Sequence, residues 1–156
     1  MIQYDIRKID TETAQQLIAL SRLWVEENCS YGMVENESDD LTEPLAVATD
    51  GKRIVGYAFG HFYEQERKTS YIEVGSKCFS IDELYVIPEY RCQGIGKRLF
   101  NLIENHVADE CSYITLSTST KDYKSILNLY VEELGMNFHS AFLIKNTVEA
   151  SREDTR

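Results

Sequence analysis

The sequence is poor in proline, tryptophan and positive charge. Its 156 residues include two prolines and one tryptophan, and 16 lysines and arginines stand against 26 aspartates and glutamates. The resulting formal net charge of −10 would repel a phosphate backbone, so we expect no nucleic acid partner. A cationic small molecule is compatible with this charge.

The chain also lacks long hydrophobic runs and paired cysteine motifs. No apolar segment approaches the roughly 20 residues of a membrane span, and the N-terminal residues lack the apolar stretch of a signal peptide. We therefore expect a cytoplasmic protein without a membrane partner. The cysteines form no Cys-x-x-Cys pair and have no nearby histidine that completes a metal site, which predicts reduced thiols and no bound metal. They are Cys29, Cys78, Cys92 and Cys111.

The periodicity of the hydrophobic residues predicts one α/β domain with a mixed sheet over residues 1–146, followed by a polar tail over residues 147–156. A helix begins after the capping pair Asp10-Thr11, and Asp50-Gly51 joins two β-prone runs into a hairpin. The strands on either side of the helix that follows Gly94 should be parallel neighbours. The expected strands cover residues 2–9, 45–49, 53–63, 79–87, 113–118 and 138–145, and the expected helices cover 11–27, 94–109 and 121–134.

Residues 81–100 combine a strand, a glycine-containing turn and a helix. The strand ends at Pro88, which has no N–H for a further ladder bond. In the turn, Gly94 and Gly96 let the backbone approach an anion closely, and the unpaired N–H groups of the first helical turn favour negative charge. Three cations add positive charge beside the glycines: Arg91, Lys97 and Arg98. A phosphate group is therefore the expected ligand.

Two common phosphate-binding motifs do not fit this turn. A P-loop requires a glycine at position 91 and a serine or threonine at position 98, and both positions are arginine. A dinucleotide-binding fingerprint requires a third glycine where Leu99 stands. Both motifs are excluded by position.

The turn instead resembles motif A of the GCN5-related N-acetyltransferase (GNAT) superfamily. That motif reads Gln/Arg-x-x-Gly-x-Gly/Ala after a strand ending in a hydrophobic-x-Pro-x-aromatic run, and Arg91, Gly94 and Gly96 match it, with Pro88 and Tyr90 before them. The resemblance implies an acetyl-coenzyme A-dependent N-acetyltransferase with a mixed, mostly antiparallel central sheet flanked by helices. It implies coenzyme contacts from Leu84, Tyr85, Val86, Arg91, Cys92, Gln93, Gly94, Ile95, Gly96, Lys97 and Tyr123. Tyr123 stands where the family commonly has a coenzyme-bonding asparagine.

Direct acetyl transfer requires a group that keeps the amine deprotonated, N–H donors for the oxyanion and an acid for the leaving thiolate. Asp82 and Glu83 on the central strand are the candidate bases, and strand alternation places them on opposite faces, so at most one faces the thioester. The resemblance favours Asp82 and assigns the oxyanion to a backbone N–H near Val86. It assigns the acid to Tyr130, which matches the tyrosine of motif B with one residue more than usual before Gly135.

The acceptor is expected to be a primary amine of a small cationic molecule, such as an aminoglycoside or a polyamine. Residues 26–43 carry seven acidic residues and no lysine or arginine, so they form either a solvated loop or one wall of an acceptor pocket. Trp24 belongs either to the core or to the floor of that pocket. Two other functions stay open: an N-acetyltransferase for peptides or proteins, and a coenzyme A-binding regulatory module without turnover.

The C-terminal edge of the sheet is the least complete part of the expected fold. Only one strand's length of residues follows the last helix, whereas the family usually has two strands there. The edge is completed by the tail or by a second subunit, or is left bare. We expect a homodimer on this basis.

Overall fold

A computed structural model describes residues 1–148 and confirms the predicted α/β domain. Its strands are β1 (Ile2–Arg7), β2 (Leu45–Asp50), β3 (Arg53–Glu64), β4 (Lys77–Val86) and β5 (Tyr113–Thr115). Its helices are α1 (Thr11–Glu27), α2 (Ile95–Val107) and α3 (Tyr123–Leu127), and α3 continues into a π-helical turn over Asn128–Glu133. Short 3-10 turns lie at Ser38–Asp40 and Pro88–Tyr90.

The five strands form one mixed sheet in the order β1-β2-β3-β4-β5. Pairing is antiparallel from β1 to β4, and β4 and β5 are parallel neighbours, as the helix between them predicts. The hairpin of β2 and β3 turns at Gly51, whose φ of 61° is open to glycine without strain. The predicted hairpin, parallel pair and mixed sheet are therefore all confirmed.

The helices cover opposite faces of this sheet. Tyr85 on β4 stacks on Trp24 of α1, with 5.0 Å between the ring centroids. The next residue, Val86, lies on the other face, where it and Leu99 of α2 approach Gly56 closely. The α1 face and the α2 face, named after these helices, each bury large side chains against the sheet, among them Leu17 and Leu20 on α1 and Leu99 and Ile103 on α2.

β4 and β5 share only a short ladder. Cys78, Phe79 and Ser80 pair with Tyr113, Ile114 and Thr115, and β5 then ends. Within residues 1–148 no strand pairs with this edge of β4 beyond Ser80. The edge of β4 from Ile81 to Val86 is therefore open to an extended ligand, except that the carbonyl of Val86 accepts a hydrogen bond from Nε of Arg91.

The predicted last strand over residues 138–145 is wrong, because these residues pair with no strand in the described part of the chain. Phe142, Leu143 and Ile144 are 91%, 89% and 88% exposed. A β-prone sequence forms a strand only where a neighbouring strand offers hydrogen bonds, and neither edge of the sheet receives this segment. Of the predicted polar tail, residues 149–156 lie outside the described residues.

Within residues 1–148, none of the helices is both long enough and apolar enough to cross a bilayer.

Candidate active site

The turn between β4 and α2 presents an uninterrupted set of unpaired main-chain donors. α2 begins at Ile95 after Gly94, whose φ is 77°, and its first intrahelical bond runs from the N–H of Arg98 to the carbonyl of Gly94. No acceptor among residues 1–148 pairs with the main-chain N–H groups of residues 92–97. The 13-residue α2 adds the positive end of its dipole, so this loop fits a phosphate or pyrophosphate.

Open space beside the two glycines supports the same ligand. A Cβ at Gly94 would meet no atom within 4 Å, and one at Gly96 would meet only the Leu84 and Leu129 side chains, at 3.6 and 3.9 Å. Cys92 is exposed and has a φ of 59°, which curls the loop. Gln93 donates from its Nε2 to the carbonyl of Glu89 at 3.4 Å and so stays beside the loop.

Arg91 connects the loop to α1. Its Nε donates to the carbonyl of Val86 at 2.8 Å, and its Nη2 donates to the Glu27 carboxylate at 2.8 Å. The guanidinium also lies 5.4 Å from the centre of the Tyr85 ring. Part of its charge is therefore balanced by Glu27 before any phosphate arrives.

The other two cations differ in position. Lys97 is exposed in the first turn of α2. Arg98 lies over the ring of Tyr4 in β1, 5.3 Å from its centre. Its prediction as a charge beside the glycines is therefore wrong, because one further residue along the helix turns the side chain toward the sheet edge.

A β-bulge carries the two candidate bases. Phe59 pairs with Glu83 and Gly60 pairs with Ile81, so Asp82 is the extra residue on β4. A bulge interrupts strand alternation, and here both carboxylates lie on the α1 face, Glu83 against Tyr57 and Asp82 against His61. The predicted placement of the two carboxylates on opposite faces is therefore wrong.

Glu83 is partly buried and fully partnered. Its carboxylate accepts a 2.7 Å hydrogen bond from the hydroxyl of Tyr57 and bonds of 2.9 and 3.0 Å from the amide of Asn36. Burial raises the pKa of Glu83, and the hydrogen bonds from Tyr57 and Asn36 oppose that rise without cancelling it. The result is a fixed carboxylate with a raised pKa.

Asp82 is more exposed and joins two strands. Its Oδ2 lies 2.7 Å from Nδ1 of His61, and its Oδ1 accepts a 3.1 Å bond from the hydroxyl of Ser80. Ser80 and His61 are cross-strand partners. The carboxylate therefore fixes the orientation of the imidazole.

An aromatic wall completes the α1 face. The hydroxyl of Tyr85 donates to Glu27, and Trp24 stacks on Tyr85 while its indole N–H donates to Ser30 at 3.3 Å. Burial alone would raise the pKa of Glu27, but hydrogen bonds from Arg91 and Tyr85 and the charge of Arg91 bring it below its usual value. Trp24 thus packs on Tyr85 and stays half-buried on the α1 face.

Most of the acidic segment has a structural role. Glu35 forms an ion pair with Arg22 at 2.7 Å, and Glu43 accepts from the main-chain N–H of Ile9 at 2.8 Å. Asp40 accepts from the N–H of Glu37 in a capping box. Of the seven acidic side chains, Glu27 is the one that hydrogen-bonds to the aromatic wall.

Tyr130 lies on the other side of the sheet, in the π-helical turn. It is 8% exposed and tilts against Phe100 of α2, 6.2 Å between centroids. Burial raises the pKa of its phenol to about 12, and its hydroxyl makes no hydrogen bond within residues 1–148. Inside this turn the N–H of Leu134 bonds to the carbonyl of Leu129 at 2.9 Å, the wider spacing of a π-helix. The extra residue before Gly135 is therefore absorbed as a π-helical turn.

A family model for acetyltransferases of the GNAT family matches residues 5–136 of this chain. The chain belongs to the GNAT family. As a member, it is an acetyl-coenzyme A-dependent acetyltransferase. No curated protein gives a significant match.

Solved GNAT structures share the fold. Aminoglycoside N-acetyltransferase AAC(6')-Iy in complex with coenzyme A has a TM-score of 0.65 at 15% identity, over 94% of this chain and 95% of its own. A predicted acetyltransferase with acetyl-coenzyme A from Clostridium acetobutylicum has a TM-score of 0.65 at 18% identity, over 96% and 98%. The ribosomal-protein-alanine N-acetyltransferase of Brucella melitensis biovar Abortus 2308 has a TM-score of 0.61 at 16% identity, over 94% and 100%.

The GNAT fold separates the predicted site residues into two groups. The first group consists of the loop residues and of Asp82 to Val86 on β4, which lie along one strand-turn-helix unit. The second is Tyr130, in the π-helical turn that follows α3. Tyr123 begins α3, 59% exposed.

Three residues that contact the predicted site were not assigned to it from the sequence: Asn36, Tyr57 and His61. For Tyr57 and His61 the signal was available, because their even spacing on the hairpin strand puts them on one face. Asn36 had no signal, since it lies in a loop whose path only the folded chain defines.

Proposed function

We propose that this GNAT enzyme transfers the acetyl group of acetyl-coenzyme A to a primary amine of a small cationic molecule. The observation that carries the proposal is the fixed, partly buried Glu83 carboxylate on the α1 face of β4, beside the free edge of that strand and before a loop of unpaired amides.

The coenzyme would lie along that edge. Unpaired N–H groups of residues 92–97 would bind its pyrophosphate, and main-chain groups between Ile81 and Val86 would bond the amides of its pantetheine arm. Cys92, Gln93, Gly94, Ile95, Gly96 and Lys97 form the loop, and Leu84 packs beneath it. Tyr123 at the start of α3 is the proposed contact in place of an asparagine.

The acceptor would approach from the α1 face. Glu83 supplies negative charge there, and the half-buried Trp24 supplies aromatic surface for a cation. An ammonium group is favoured over a neutral or anionic group because burial strengthens its attraction to Glu83. A further structure of AAC(6')-Iy, with a TM-score of 0.63, contains the bisubstrate analogue CoA-S-monomethyl-acetylneamine. It supports the proposal of an acceptor amine of this kind on the same fold.

The chemical roles follow from this placement. Glu83 would hold the ammonium, and Asp82 would act in its deprotonation. A main-chain N–H near Val86 would stabilise the oxyanion, and Tyr130 would give its proton to the leaving thiolate. The raised pKa of Tyr130 keeps this phenol protonated at neutral pH.

The test is thiol release from acetyl-coenzyme A with aminoglycosides, polyamines, amino acids and basic peptides as acceptors. Turnover confined to small polycations supports the proposal, and Glu83→Gln should then raise KM for the amine about tenfold with little change in KM for acetyl-coenzyme A. Turnover with peptides alone would assign a peptide acceptor. Binding of coenzyme A without turnover of any amine would indicate a regulatory module.

The assembly proposed with this function is a homodimer. Phe142, Leu143 and Ile144 are almost fully exposed, and the outer edge of β5 pairs with no strand within residues 1–148. Pairing this segment with a second copy would cover both surfaces. A monomeric mass by light scattering would rule it out.

A further inference from the structure

The position of the His61–Asp82 pair in the sheet indicates a role beyond stabilising the two strands. Ser80 is the last β4 residue paired with β5, and His61 is its cross-strand partner on β3. His61 therefore lies on the α1 face where the β4 edge becomes free, next to the bulge that carries Asp82 and Glu83.

The geometry of the pair leaves one ring nitrogen available. Nδ1 of His61 lies 2.7 Å from the Asp82 carboxylate, so in neutral imidazole Nδ1 carries the proton and Nε2 is an acceptor. No hydrogen bond to Nε2 is present within residues 1–148, and the side chain is 53% exposed. A proton taken at Nε2 can therefore pass to solvent.

We propose that His61 is a further catalytic residue of the acetyl transfer, accepting the proton of the acceptor ammonium at Nε2 through a water chain along the α1 face, and that Asp82 is its positioning residue. The inference rests on the proposed amine acetyltransferase function. Imidazole exchanges protons near neutral pH more readily than a carboxylate does, so it suits an amine that is mostly protonated in solution.

The proton balance is complete. The ammonium loses one proton to Nε2 and from there to solvent, and the neutral nitrogen forms the C–N bond with the acetyl carbonyl carbon. As the C–S bond breaks, Tyr130 donates a proton to the thiolate. The second proton that the nitrogen gives up restores Tyr130 through water. The products are the N-acetyl amine, coenzyme A and one proton in solvent.

Other groups near His61 have separate partners. On β3, Tyr63 lies 6.1 Å from His61 between centroids and bonds to Thr115 of β5 at 2.9 Å. On β4, Glu83 bonds to Tyr57 and Asn36. From the loop before β2, Thr42 bonds to the carbonyl of Gly60. Asp82 is the charged group that hydrogen-bonds to the imidazole.

The kinetic test compares the pH dependence of kcat/KM for the amine in the wild type, His61→Gln, Asp82→Asn and the control His106→Gln, an exposed histidine of α2. His61→Gln should lower kcat at neutral pH about 100-fold and remove the low-pH limb, with KM for acetyl-coenzyme A unchanged. Added imidazole should partly restore His61→Ala. A His61→Gln variant within twofold of the wild type and with the same pH profile would overturn the proposal.

A spectroscopic test separates this proposal from the proposed function. Nitrogen NMR of the imidazole should show the Nδ1–H tautomer in the wild type and its loss in Asp82→Asn, whether or not any amine is acetylated. An Nε2–H tautomer in the wild type overturns the role of His61. Absence of thiol release with every amine overturns the proposed function instead.

Discussion

Replacing Gly60 with alanine should displace the bulge that carries the candidate bases. A Cβ at this position would lie 1.8 Å from the carbonyl oxygen of Ser80 and 3.0 Å from Cα of Ile81, both of them backbone atoms. Normal contact between carbon and oxygen is about 3.3 Å, so β3 and β4 would have to separate by roughly 1.5 Å. That breaks about two ladder hydrogen bonds at about 1 kcal/mol each and adds about 1–3 kcal/mol of overpacking.

The expected loss in the free energy of unfolding is therefore about 3–5 kcal/mol, which in a domain of this size lowers Tm by roughly 6–20 °C. Urea unfolding measures it directly. Gly96→Ala is the matched control, because its Cβ would make only ordinary contacts with two leucine side chains and alanine favours a helix. If Gly60→Ala unfolds within about 0.5 kcal/mol of the wild type, the close approach at the bulge is wrong.

Three further substitutions test the remaining parts of the site. Tyr130→Phe should lower kcat by about 100-fold at unchanged stability, since the hydroxyl has no partner within residues 1–148; retained turnover would remove Tyr130 from the mechanism. Glu83→Gln should change the pH dependence of Tm: the raised pKa means that the folded wild type gains protons first, so its stability relative to the variant rises as pH falls from about 7 to about 4. Arg91→Gln should weaken coenzyme A binding in calorimetry and show the opposite trend in Tm, because the pKa of Glu27 is lowered in the wild type and that stabilisation is lost below about pH 4. If the Tm of a variant and of the wild type change in parallel with pH, the shifted pKa of the carboxylate in that comparison, Glu83 or Glu27, is contradicted.

The strand-turn-helix unit is the part of the site that could be read from the sequence. Pro88 and Gly94 act within a few residues of their own positions, one ending the strand and the other opening the helix, so their effects need no knowledge of distant contacts. The hairpin at Asp50-Gly51 and the cap at Asp10 were predictable for the same reason.

Elements that depend on a partner were not predictable in this way. The segment 138–145 has the composition of a strand, yet no strand within residues 1–148 receives it. From the sequence, the extra residue before Gly135 could have rotated Tyr130, shifted the glycine or widened the helix. The chain adopts a π-helical turn, in which Tyr130 packs against Phe100.

The sequence by itself determined the order of the elements as far as α3, the phosphate-type loop and the family, because these follow from local backbone chemistry and from residues close together in the chain. The tertiary structure alone decided which side chains share the α1 face. Asp82 and Glu83 lie on one face because β4 carries one residue more than β3 at the bulge, and this register exists only once the two strands are paired. Asn36 and His61 reach these carboxylates from distant parts of the chain, and such contacts follow from the packing of the whole domain.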